Sequence, residues 1–110
     1  MAKTIKLKHE GKTYTLEFTR ATVEDMERDG FTRSDLVNKP MLTIPYVFAC
    51  AFAANHPDLK REDIDHIWEK LKAKDGIFNR LAEMYAEPYE ALMHEPEDGE
   101  KGNASWEASW

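Results

Sequence analysis

One hundred and ten residues, 42% hydrophobic and 33% charged, have the make-up of a single soluble globular domain with one modest core. A net charge of −6 lacks the dense basic face that phosphate contacts require, so no nucleic-acid partner is expected. One cysteine, Cys50, rules out an intrachain disulfide framework and fits a reducing cytoplasm.

Met1-Ala2-Lys3-Thr4 leads into alternation and not into the apolar run of a secretory signal. Thr4 to Phe18 reads as a β-hairpin. Ile5 and Leu7 alternate with Thr4, Lys6 and Lys8, and Tyr14, Leu16 and Phe18 alternate with Thr13, Thr15 and Glu17. Glu10-Gly11 supplies a two-residue turn, with Gly11 free to take positive φ. That register sets Leu7 opposite Tyr14 and Ile5 opposite Leu16 on one face, and Lys6 opposite Thr15 on the other. A lone hairpin is marginal, so it must lie on helices or pair with more strand, and its edges are free unless something covers them.

A first helix is expected from Arg20 to Asp29, capped by Thr19 or Thr22 and ended by Gly30, with Val23 and Met26 inward and Phe31 closing the end. Thr32 to Lys39 holds a short helix or turn anchored by Leu36 and Val37. Thr43 to Asn55 reads as a central helix, with Pro45 in its first turn. Its run from Tyr46 to Ala53 leaves no polar face, and a helix apolar all round is surrounded. The apolar stretch Met41 to Ala54 is too short to span a bilayer, so no membrane association is expected.

His56-Pro57 breaks the chain, and Leu59 to Lys72 forms an amphipathic helix with Ile64, Ile67, Trp68 and Leu71 on one stripe. Asp75-Gly76 starts the last helix, whose stripe includes Leu81, Met84, Tyr85, Tyr89 and Leu92. Pro88 is expected to kink or restart it, because its ring opposes the Met84 carbonyl.

From His94 onward the composition changes. Glu95, Glu97, Asp98, Glu100 and Glu107 stand against Lys101 alone, and the sequence closes on Ala-Ser-Trp, Glu, Ala-Ser-Trp. Residues 1–93 are therefore assigned to one α+β domain, a hairpin packed on about four helices, and residues 94–110 to a flexible acidic tail. Trp106 and Trp110 are costly to expose and read as a docking peptide, received by a groove lined by Trp68 or Tyr89. The free hairpin edges and the all-apolar helix point to a homo-oligomer.

Few residues suggest chemistry. Glu62, Asp65, His66 and Glu69 recur at i, i+3, i+4 and i+7 and share one helix face, a spacing that can ligate metal. No facing helix offers a matching set, and a solvated face is the expectation, with no metal, cofactor or catalytic residue assigned. Cys50 lies among apolar residues and reads as an inert core thiol. No phosphate-binding loop, nucleophile elbow or zinc spacing is present.

The segments Lys3-Thr4-Ile5-Lys6-Leu7, Gly11 to Arg20, Met26 to Phe31, Leu81 to Leu92 and Trp106-Glu107-Ala108-Ser109-Trp110 together resemble a small uncharacterised family from phages and prophages of Gram-positive bacteria. In size, acidity and α+β make-up that family is similar to siphophage tail assembly chaperones. The resemblance implies a non-enzymatic cytoplasmic protein that binds the tape-measure protein, the tail-tube protein or both. It also implies that a programmed frameshift can append an extension, and Glu100-Lys101-Gly102 is compatible with an A-rich slippery run. The alternatives are a small metal-binding or enzymatic protein using the Glu62/Asp65/His66/Glu69 face, and a phage-encoded regulator.

Overall fold

Glu10 and Gly11 both take positive φ, 51° and 78°, the mirror-image turn that matches strand twist and permits a two-residue hairpin. The computed structural model describes residues 3–94 and 105–110. Strands β1 (Ile5–His9) and β2 (Lys12–Leu16) pair antiparallel in the expected register, Ile5 with Leu16, Leu7 with Tyr14 and His9 with Lys12. Leu7 and Leu16 are buried on one face, and Lys6 donates to Thr15 Oγ1 at 2.7 Å on the other.

Among the described residues five helices follow: α1 (Arg20–Arg28), α2 (Asp35–Asn38), α3 (Pro40–Cys50), α4 (Arg61–Lys70) and α5 (Lys74–Leu92). The fold is α+β, a hairpin on a helical layer. Thr19 caps α1 by accepting from the Thr22 amide at 3.1 Å. At the other end the Phe31 amide donates to Met26 and the Gly30 amide to Glu27, both at 3.0 Å, with Gly30 at φ 93°. That pair of bonds is the Schellman stop, and Phe31 closes over it as a buried residue.

Three expectations need correction. The central helix starts earlier and ends sooner than Thr43–Asn55. Pro40 opens it at a position that needs no N–H, and Pro45 lies inside it. The apolar run itself is enclosed, buried or half-buried from Tyr46 to Phe52, whereas Met41 and Leu42 in the added first turn are 88% and 73% exposed. Val37, expected as an anchor, is 83% exposed, and only Leu36 packs on the core. The helix predicted over Leu59–Lys72 is the shorter α4, with Ile64 and Ile67 buried and Trp68 and Leu71 at the margin.

The early end of α3 has a purpose in the packing. The chain at 51–56 turns back along the outer edge of β2. There the Glu17 amide donates to the Ala51 carbonyl at 2.9 Å, and the Thr15 amide to His56 Nε2 at 2.9 Å. Asn55 Nδ2 donates to the Thr15 carbonyl at 3.3 Å and to Glu17 at 3.1 Å. The β2 edge is therefore covered, whereas among the described residues no backbone bond reaches the outer edge of β1.

α5 runs through Pro88 as one helix, so the expected restart is absent and the Met84 carbonyl forgoes its intrahelical donor. The most enclosed side chains, Leu16, Met26, Phe48, Phe52 and Leu81, place the core where hairpin, α1, α3 and α5 meet. Among the described residues every buried side-chain nitrogen and oxygen has a partner. The linker at 95–104, including Glu95, Glu97, Asp98, Glu100 and Lys101 and the Glu100-Lys101-Gly102 step, lies outside the described residues, as do Met1 and Ala2.

Candidate functional site

Tyr85 and Tyr89 sit one turn apart on α5 and so face the same way. Tyr85 is buried edge-on against Phe18 and Phe31, at centroid distances of 5.7 and 5.4 Å. Tyr89 lies at the surface, its hydroxyl 3.1 Å from that of Tyr85 and donating to Glu27 of α1. Arg33, carried just past the α1 stop, lays its guanidinium over both rings at 5.3 and 5.2 Å. With Phe31 and Thr32 they line an open groove of about 650 Å³. Phenol faces, one cation and one carboxylate suit an aromatic or acidic peptide better than a reaction. The hydrogen bond to Glu27, ahead of that to Tyr85, holds the Tyr89 phenol well above its ordinary value.

Trp68, the other expected groove residue, lies elsewhere. Its ring packs on Phe48 at 4.8 Å and takes the Lys74 ammonium at 5.8 Å. It belongs to the margin of the core, while Tyr89 borders the groove. Trp106 and Trp110 are 81% exposed and fully exposed, within a described segment, 105–110, that has no regular structure.

A second apolar surface was missed in the sequence. Val37, Met41 and Leu42 fall within six residues spanning α2 and the first turn of α3, and all three face water. Beyond Tyr89, Leu92 and Met93 at the end of α5 are also exposed. Exposed large apolar side chains gathered in one place mark interaction surfaces more often than scattered ones do. The hydrophobic run from Met41 gave no hint of this, because an apolar pattern looks the same whether water or a core meets it.

The titratable groups are mostly occupied. Glu24 pairs with Arg20 and Arg28 at 3.1 and 3.4 Å, Asp25 with Arg28 at 2.9 Å and Asp65 with Arg61 at 2.9 Å. These exposed pairs contribute little to stability. Asp65 is engaged by Arg61, and among the described residues Glu62, Asp65, His66 and Glu69 do not form a converging ligand group. His66 Nδ1 stands 4.0 Å from Glu69, and its ring meets His9 of the hairpin edge-on at 6.2 Å. No sequence signal joins His9 to His66, since only the tertiary fold brings the hairpin tip to α4.

Cys50 lines a groove between α1 and α3, half-buried, with burial pushing its thiol up. A nucleophilic cysteine needs the opposite shift. Tyr46 beside it is raised further, first by burial and then by Cys50, while its hydroxyl donates to Asp29 at 3.0 Å. No helix among the described residues is long and apolar enough to cross a membrane.

Neither a curated protein nor a solved structure matches this chain. The family model described as "Domain of unknown function (DUF5055)" matches residues 1–110, and the chain belongs to that family.

Proposed function

We propose that this protein is a non-enzymatic binding protein of the tail-assembly-chaperone kind, which covers apolar segments of a tape-measure or tail-tube protein during tail assembly in the host cytoplasm. The exposed ridge of Val37, Met41 and Leu42 carries the reading. Three large apolar side chains held in water by α2 and the first turn of α3 cost solubility, and a client helix or strand would remove that cost. The raised Cys50 thiol and the ion-paired helix faces offer no activated acid, base or nucleophile to compete with this reading. The phage setting rests on the resemblance of the segments from Lys3 to Leu92 and of the closing Trp106–Trp110 peptide.

The test uses co-expression with a siphophage tape-measure protein and, separately, with a tail-tube protein. At least one pair is expected to co-purify, and Met41→Lys with Leu42→Lys is expected to abolish that while leaving the melting curve of the free protein unchanged. Because Met41 and Leu42 are already exposed, a loss of binding cannot be traced to a broken core. Co-purification that survives both substitutions would remove the ridge from the interface, and no complex with either tail protein would end the reading. The same surface predicts self-association when client is absent, and a strict monomer by light scattering at high concentration would count against a homo-oligomer.

A further inference from the structure

His9, Glu10 and His66 form the one grouping among the described residues in which three metal-ligating side chains converge, with one donor atom from each lying within 4.8 Å of the others. We propose that they bind a Zn²⁺ ion that ties the hairpin turn to α4. Two imidazoles and a carboxylate are a donor set zinc accepts, with bonds of about 2.0–2.2 Å that leave ligand atoms roughly 3.3 Å apart. His9 Nε2 and Glu10 Oε1 already stand 3.7 Å apart. The His66 ring is about half exposed and free of hydrogen bonds from the described residues, with the Glu69 carboxylate on one side and the His9 ring on the other.

The anchoring is uneven in a useful way. The His9 side chain is only 18% exposed and stands edge-on to His66, so one ligand is held by the fold while the other two swing. Glu69, 4.0 Å from His66 Nδ1, is placed either as fourth ligand or as the carboxylate that orients the ring from behind. Glu10 occupies a left-handed turn position at φ 51° where Asn, Asp or Gly is the ordinary choice. A backbone cost kept there is accounted for by the carboxylate it places beside His9. Lys12, across the ladder from His9, is exposed and long enough to keep its ammonium in water.

An ion that binds only the folded chain adds to its stability by mass action and restrains the hairpin, whose outer β1 edge no backbone bond reaches among the described residues. The inference is independent of the client-binding reading, and either can fail alone.

Titrating Zn²⁺ into untagged, metal-free protein slightly above neutral pH is expected to give saturable binding of one ion per chain and a rise in melting temperature reversed by chelator. His9→Gln and His66→Gln should each weaken the affinity by at least about tenfold. Glu62→Gln should leave it unchanged. The melting temperatures of the metal-free variants show whether each still folds, and His66→Gln, at an exposed position, secures the test if His9→Gln does not. No saturable binding, or unchanged affinity in both histidine variants, overturns the site. So does binding that is lost in Glu62→Gln or in Cys50→Ala, which would move the ion to the α4 face or to the thiol.

Discussion

His56 does more than end a helical stretch. Its Nε2 accepts the Thr15 amide, so the ring proton sits on Nδ1, and its ring stands edge-on to Tyr14 at 5.2 Å. Removing it leaves a part-buried strand amide without an acceptor, a loss of about 1–2 kcal/mol. His56→Ala should lower the urea midpoint by that amount, and His56→Phe should recover only the ring contact. Equal midpoints for wild type and His56→Phe would show that the amide finds another partner. Cys50 and Tyr46 govern a different response. Burial is the first cause for both, and each holds its proton more tightly folded than unfolded. Below the ordinary values, 9.0 for the thiol and 10.0 for the phenol, their contribution to stability is complete, and it is lost as pH rises through the raised values. Denaturant midpoints are expected to fall from about pH 9 upward, and Cys50→Ala should remove the first part of that fall. A midpoint flat to strongly alkaline pH would contradict the burial of these groups. The raised Cys50 thiol was legible in its apolar sequence neighbours, whereas His56 reads only as a chain breaker until its contact with Thr15 is known.

At the scale of the element, the turns and stops were the most legible parts. Glu10-Gly11 and Gly30 are local: the conformation each requires is written in one or two residues. Gly30 at φ 93° has open space where a Cβ would stand, so Gly30→Ala meets no neighbour and its cost is purely conformational. That cost is about 1–2 kcal/mol, read as a shift of the urea midpoint with an unchanged slope. A change in slope instead would mean that the α1 stop holds a wider region together. Non-local features were the illegible ones. Ile64, Ile67 and Leu81 were placed inward correctly because a stripe on a polar helix names its own face. The run Met41 to Ala54 has no polar side and could not say which residues face water. Its true division runs along the helix and not across it: Met41 and Leu42 in the first turn face water, while Val47 and Phe48 further on are buried, although Met41 and Phe48 share one stripe at i, i+7. The end of α3 at Cys50 was hidden for the same reason, since the turn at 51–56 exists to meet β2.

For the whole molecule, the three tryptophans separate fold from function. Trp68 is packed on Phe48, whereas Trp106 and Trp110 are exposed. Side chains this exposed cannot contribute much to stability, so removing residues 105–110 should change the unfolding free energy by no more than about 0.5 kcal/mol. Acrylamide should quench two classes of emission, an accessible one that disappears in Trp106→Phe/Trp110→Phe and a protected one that stays with Trp68. The groove of Tyr89, Tyr85 and Arg33 offers aromatic faces and a cation to a peptide that carries Glu107 between its two indoles. If that peptide docks on a neighbouring copy, the accessible class shrinks and shifts to the blue as concentration rises, and Arg33→Ala abolishes the shift without altering the melt. A spectrum independent of concentration, with client protein absent, would release the two tryptophans from self-association. The Val37, Met41 and Leu42 ridge would then be the larger apolar surface through which copies could meet, ahead of Leu92 and Met93, and the Met41→Lys/Leu42→Lys variant tells the routes apart in the same scattering measurement.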